Sequence, residues 1–234
     1  MAEYSRRTHR TVPGRKGGRG KKSGRRKADS YERRRRLWGE LARERGGSLA
    51  VGKNPLRDTL SIPRGVHTMV LGVQVVSDGF QTRFLTRVRV RIPVLDAFRF
   101  RVTRANRWTR TWDRILPGHV GLGNPRLDRE FRARTNMGGR VRALLLDGRV
   151  RADLIAARPH RFEVARLGWS ERWRWATDVR QLQVMAEGLF LGRREVVPLL
   201  ALCESALSRL QSTGTAAPRC ASPVRSSWQG RPRT

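Results

Sequence analysis

Between Phe80 and Ile92 the chain alternates so regularly that it limits what the rest can be. Phe84, Thr86, Val88, Val90 and Ile92 fall on one side, and Arg83, Arg87, Arg89 and Arg91 on the other, with Leu85 the one exception. A period of two sends successive side chains to opposite faces of a strand. The segment is therefore read as a strand with one face buried and the other carrying guanidinium groups, ended by Pro93. Such a strand needs partners in a sheet and a cover over its apolar face. Ser77-Asp78-Gly79 signals a hairpin into it from Val66–Val76, and Leu56–Ile62 reads as a further strand before Pro63-Arg64-Gly65. Ala97 to Thr103 repeats the alternation, with Phe98, Phe100 and Val102 against Arg99 and Arg101. The expectation is that it pairs with Phe80–Ile92 and places six arginines on an open face.

The cover is sought in helices. Tyr31, Leu37, Trp38, Leu41 and Ala42 share a helical face after a candidate cap at Ser30, and Gly46-Gly47 ends the run. Residues 193–211 form a closing helix with Val196, Leu199, Leu200, Cys203, Leu207 and Leu210 on one stripe, and Pro198 is expected in its first turn. Val141–Leu146 and Val150–Ala157 read as short helices broken at Asp147-Gly148. Leu127–Arg134 reads as a strand, and His160–Leu167 and Trp173–Leu191 show further strand-like alternation. The fold class that follows is α+β: an antiparallel sheet packed by N- and C-terminal helices. Its expected boundaries are residues 29–211, flanked by a disordered basic tail at 1–28 and a second disordered tail at 212–234.

Charge gives the first functional lead. The net charge is +32, of which residues 1–28 carry +10, residues 29–211 carry +18 and residues 212–234 carry +4. A surface this positive favours a polyanion as partner. Only five of the 51 basic residues are Lys, and four of those lie in the first 28 residues. Abundant Arg with scarce Lys is also what a GC-rich bacterial genome produces by codon bias, so the basicity of the body has a compositional explanation that the tail lacks.

Motifs for catalysis and metals fail on spacing. Gly20-Lys21-Lys22 has Lys where a phosphate loop needs Ser or Thr, and no strand precedes it. Gly121-Leu122-Gly123-Asn124-Pro125-Arg126 begins like a dinucleotide fingerprint, but Arg126 replaces the third glycine, and the segment reads as a turn. His9, His67, His119 and His160 are scattered, and Cys203 and Cys220 form no metal-ligand pattern. Asp128 and Glu130 share a face of the expected strand, where neighbouring arginines make ion pairing their expected role. No metal, no cofactor and no enzymatic activity are expected. Two cysteines point to a reducing, cytoplasmic setting, and neither a secretory signal nor a membrane span is read in the chain.

The positive signals are basic residues interleaved with aromatics. The candidate nucleic-acid contacts are Arg6, Arg7, Arg10, Arg15, Lys16, Arg19, Lys21, Lys22, Arg25, Arg26 and Lys27 of the arm, then Arg33, Arg34, Arg35 and Arg36 of the first helix. Arg87, Arg89 and Arg91 on the sheet face complete the set. Trp108 and Trp112, among Arg104, Arg107, Arg110 and Arg114, form a cluster able to stack bases and neutralise phosphates. Trp173 and Trp175, on one face of a strand, are expected in the core with Arg174 outside.

Residues 116–146 resemble a group of uncharacterised bacterial α/β domains. Their pattern is a Gly-rich turn, a G-D/N-x-x-F-D-x-x-F strand and a V-R-x-L-L helix. Here it reads Gly123-Asn124-Pro125-Arg126-Leu127-Asp128-Arg129-Glu130-Phe131, then Val141-Arg142-Ala143-Leu144-Leu145, with Leu127 in place of the usual Phe. Trp38-Gly39-Glu40-Leu41-Ala42 and Ala206-Leu207-Ser208-Arg209-Leu210 extend the resemblance over residues 30–211. It implies a fold and carries no catalytic signature.

The leading expectation is a non-enzymatic protein that holds nucleic acid or another polyanion through its basic arm. The alternatives are a protein-interaction domain whose basicity is compositional, and a capsid-like protein with a basic packaging arm.

Overall fold

The computed structural model describes residues 19–77, 79–105, 119–168, 171, 175–189 and 192–218, with side chains except those of residues 19–28 and 119. It opens with helix α1 (Arg19–Glu44). Strands β1 (Ser48–Ala50), β2 (Thr59–Arg64), β3 (His67–Ser77), β4 (Thr82–Pro93), β5 (Phe100–Arg104) and β6 (His119–Val120) follow. After these come α2 (Pro125–Glu130), β7 (Phe131–Thr135), α3 (Gly138–Leu146), α4 (Gly148–Ala157), β8 (Arg161–Arg166), β9 (Val179–Glu187) and α5 (Arg193–Ser212). Among the described residues the nine strands form one antiparallel sheet, ordered β1-β2-β3-β4-β9-β8-β5-β7-β6. The class is α+β, as the alternation and the two amphipathic helices indicate.

Register explains the core. Leu60, Leu71, Val88, Val184, Phe162, Val102 and Ala133 are successive cross-strand partners from β2 to β7, and Ile62, Met69, Val90, Leu182, Val164 and Phe100 form the next row. All of these are buried in one cluster with Trp38 and Leu41 of α1 and the apolar face of α5. A one-residue slip in any strand would turn its apolar set outward, so burial fixes the register. α1 packs on β1 and β2, while α5 packs on β4, β9 and α4, so the helices cover a single face.

Several boundaries differ from the sequence reading. α1 starts at Arg19, not at Ser30, because the intervening Lys, Arg and Ala residues are good helix formers and a possible cap at Ser30 does not oblige the helix to begin there. The helix thus reaches back into the stretch read as a basic tail, and residues 1–18 lie outside the described set. At the other end, Thr215, Ala216 and Ala217 are buried, and the Ala217 N–H donates to the Pro93 carbonyl at 2.9 Å. The packed domain thus runs past residue 211, and the part of the tail that remains, 219–234, is also outside the described residues. Pro198 sits within α5, after the first turn. The burial of Val196, Leu199, Leu200 and Cys203 on both sides of it outweighs the single backbone hydrogen bond that proline removes.

The pairing of β4 with the 97–103 strand is corrected as well. β4 lies between β3 and β9, and β5 lies between β8 and β7. Alternation states which face a residue takes and nothing about which strand it lies beside. The expected strand at Leu127–Arg134 is half helix: Asn124 Oδ1 accepts from the Arg126 and Leu127 N–H groups at 3.0 and 3.3 Å and caps α2, with Pro125 in the first turn. Asp128 and Glu130 therefore do not share a strand face. Asp128 accepts from the Leu122 N–H at 2.8 Å, and Glu130 pairs with Arg126 at 3.6 Å. The expected antiparallel pairing of β3 with β4 is present, with Ser77 opposite Thr82. A second one turns at Gly65, where φ is +57°, a conformation glycine adopts without strain.

Candidate nucleic-acid interface

The face of the sheet opposite the helices is built from the alternate residues of the same strands. Across it run Arg89, Gln183, Glu163, Arg101 and Arg134 as successive cross-strand partners, with Arg87 and Arg91 flanking Arg89 along β4. This is the arginine face anticipated from the sequence, but it is not an open one. Arg87, Arg89 and Arg91 are half-buried. The Glu171 carboxylate accepts from Arg91 at 2.7 Å and from Arg89 at 3.4 Å. The Arg91 guanidinium stacks over the Trp175 ring, 4.6 Å from its centroid, a cation–π contact. Trp175 is half-buried against this face, not in the core as expected, because strand β9 begins only at Val179 and the alternation that grouped Trp173 with Trp175 does not continue into it. Trp173 is outside the described residues.

Arg87 makes no ion pair among the described residues. Burial, with the neighbouring Arg89 and Arg91 charges, presses its guanidinium down to about 10, against the partial opposition of Glu171. Burial also lowers Arg89. Both groups still carry their charge at neutral pH. Three cations thus share one described carboxylate, and the cluster is short of negative charge. Gly72 lies directly opposite Arg87 in β3, and its missing side chain helps open a small pocket of about 250 Å³ between Thr59, Val70, Val73, Arg87 and Arg89.

Asp58 borders the same pocket and belongs to the other arginine group. Arg34 is 1% exposed, and its guanidinium donates to Asp58 at 3.3 Å and to the Pro55 carbonyl while packing 5.0 Å from the Trp38 ring. Arg35 reaches the same carboxylate at 2.9 Å, and the Gly52 N–H adds a third donor at 2.9 Å. Burial alone would raise the Asp58 carboxyl; the hydrogen bonds from Arg35, Gly52 and Arg34 more than offset it and hold it below its ordinary value. Arg34 is therefore a correction to the set of expected contacts, since it is sealed in an ion pair that ties α1 to the Pro55–Asp58 turn. Arg35 is half committed to the same pair, whereas Arg33 and Arg36 are exposed.

Arg19, Lys21, Lys22, Arg25, Arg26 and Lys27 lie on the first turns of α1, which brings the basic run and the Arg33–Arg36 group onto one continuous helix. Arg6, Arg7, Arg10, Arg15 and Lys16 fall outside the described residues, as do Trp108, Trp112, Arg107, Arg110 and Arg114 of the first aromatic cluster. No protein-family model matches this chain, and no curated protein matches it either.

The polar residues missed in the sequence are Glu163, Gln181 and Gln183. Gln181 donates to Gln183 at 2.6 Å, Gln183 donates to Glu163, and Arg101 donates to Glu163 at 2.6 Å, so a hydrogen-bonded line crosses three strands. The signal was there: Gln181 and Gln183 alternate with Leu182 and Val184, as Glu163 does with Phe162 and Val164. Only the strand order shows that they meet. Among the described residues no group of His, Cys, Asp and Glu is arranged to hold a metal ion, and no helix is long and apolar enough to cross a membrane. Cys203 is buried in α5, where burial pushes its thiol well up.

Proposed function

We propose that this protein is a non-enzymatic binder of nucleic acid or a similar polyanion, engaged by the basic arm that runs into α1. Arg33 and Arg36 and the Arg87/Arg89/Arg91 face extend that surface. The observation that carries this reading is the shortage of carboxylate on β4, where three half-buried arginines have one acid, Glu171, beside them among the described residues. A phosphate backbone supplies the missing charge, and each phosphate neutralised releases condensed counterions. Trp175, already stacked with Arg91, adds an aromatic surface at the same place. A cytoplasmic location goes with this reading.

The test is to titrate the full chain, and a chain beginning at Asp29, against single- and double-stranded DNA and RNA at several salt concentrations. The expected result is tight, sequence-tolerant binding by the full chain, with lower affinity and a flatter salt dependence after the deletion. Unchanged affinity and slope would remove the arm from the reading. If neither chain binds, the interaction-domain alternative takes its place. The capsid-like alternative gains nothing from a single sheet with helices on one face.

A further inference from the structure

A second basic region lies farther along the polar face, where β8, β5 and β7 run side by side. A groove of about 600 Å³ opens there, walled by Arg99, Arg101 of β5, Arg134 of β7 and Glu163 of β8, with the chain at Arg166 closing one end. Its floor is shaped by Ala165, which faces this side beside Gln181 of β9; a side chain this small leaves a gap between longer neighbours. The volume is that of a small-molecule site, far more than a lone inorganic anion fills.

The walls are held in place. Asn136 accepts from the Arg99 N–H at 2.9 Å and donates to the Ala97 carbonyl at 2.9 Å, while Thr135 Oγ1 donates to the Arg99 carbonyl at 2.8 Å. The backbone that carries Arg99 is clamped from both sides. Arg101 is aligned by Glu163, which is 3% exposed and braced in turn by Gln183 and Gln181. Arg99, which is exposed, makes no ion pair among the described residues. Glu163 pairs with Arg101 at 2.6 Å and with Arg161 at 3.9 Å, so one carboxylate meets two cations and the groove keeps an excess of positive charge on a backbone already ordered to receive an anion. Guanidinium forks match phosphate oxygens in pairs.

We propose that this groove is a binding site for an organic phosphate of nucleotide size, its phosphates held by Arg99 and Arg101 and its body lying over Ala165. The site is separate from the arm and from the β4 cluster, and the proposal does not rest on the function argued above. The same phosphate chemistry comes from a free nucleotide or from the end of a strand, so both are probed.

Calorimetric titration of the full chain with adenosine diphosphate, adenosine, inorganic phosphate and the dinucleotide pTpT tests it. Adenosine diphosphate or pTpT is expected to bind at least tenfold more tightly than adenosine or inorganic phosphate, and the tighter of the two identifies the source. Arg99→Gln should weaken that binding at least tenfold. Ala165→Leu, which fills the floor and leaves every charge in place, should do the same, with the melting temperature of each variant checking the fold. The proposal is overturned if no phosphate probe binds, if adenosine binds as well as its diphosphate, or if folded variants bind as tightly as the parent. That last outcome would assign the binding to basic residues elsewhere, while leaving the arm experiment untouched.

Discussion

Two groups of arginines, one at the foot of α1 and one on β4, show how the same side chain serves opposite ends. Arg34 and Arg35 converge on Asp58, which also takes a backbone N–H, so the buried carboxylate is saturated and the pair fastens a helix to a turn. Arg87, Arg89 and Arg91 share Glu171, and one of them has no described ion pair at all. Where carboxylate is in balance, arginine is structural. Where it is short, the cations keep an unmet demand for negative charge, which the fold maintains by burying the other face of β4 beneath α5. Composition alone cannot separate the two groups, since both are arginine runs in a chain of net charge +32.

The largest effect should come from breaking the balanced group. Asp58→Ala leaves the Arg34 guanidinium buried against Trp38 without a countercharge. An uncompensated buried charge of this kind costs about 3–5 kcal/mol. Chemical denaturation should show a loss in that range, near its lower end because half-exposed Arg35 can turn to water. A loss below about 1 kcal/mol would mean that the pair behaves like a surface salt bridge, and the contrast with β4 would collapse.

How far the sequence reached follows the same division. Faces were legible because a period of two or 3.6 is local: Val88, Val90 and Ile92 were placed correctly, and so were the stripe of α5 and the helices around Asp147. Strand order was not legible, because nothing in the alternation of β5 shows that β9 and β8 lie between it and β4. The strand at 127–134 failed where a local signal, Asn124-Pro125, competed with alternation and won. Arg87, Arg89 and Arg91 were correctly grouped on one face, but their shortage of carboxylate depends on where Glu171 and Glu163 arrive from distant strands and loops. Arg34 was misjudged for the same reason, since its partner lies 24 residues away.

His67 extends the comparison to a buried basic group with no dedicated acid, which the fold keeps neutral. It is 2% exposed at the start of β3, and burial holds its imidazole below the ordinary value of 6.5. Above pH 6.5 both the folded and the unfolded chain carry it neutral, and nothing is lost. As pH falls through 6.5, the unfolded chain takes up a proton that the folded chain refuses, so stability falls with pH until the depressed folded-state value is reached. Asp58 acts lower: its contribution is present above its ordinary value of 3.8 and is lost only as pH drops below that. Melting temperatures between pH 7.5 and 5.5 should therefore decline in the parent chain and decline less in His67→Leu. Equal slopes in the two would show that His67 is charged in the fold after all.

The smallest effects, and the ones that bear most directly on function, come from the unbalanced group. Arg87→Gln removes a half-buried cation whose nearest charged neighbours on β4 are two more cations, so stability should hold or rise, the opposite sign to Asp58→Ala. The same change should weaken binding to an oligonucleotide and lower the slope of log affinity against log salt by about 1, as expected for one lost phosphate contact. Glu171→Gln goes the other way. It takes away the acid that competes with phosphate for Arg89 and Arg91, and affinity should rise by about threefold, roughly the 0.6 kcal/mol of a half-exposed ion pair. Measured together by fluorescence anisotropy at fixed salt, the two variants should move affinity in opposite directions. If they move it the same way, or not at all, the carboxylate shortage on β4 is a structural accident, and binding belongs to the arm alone.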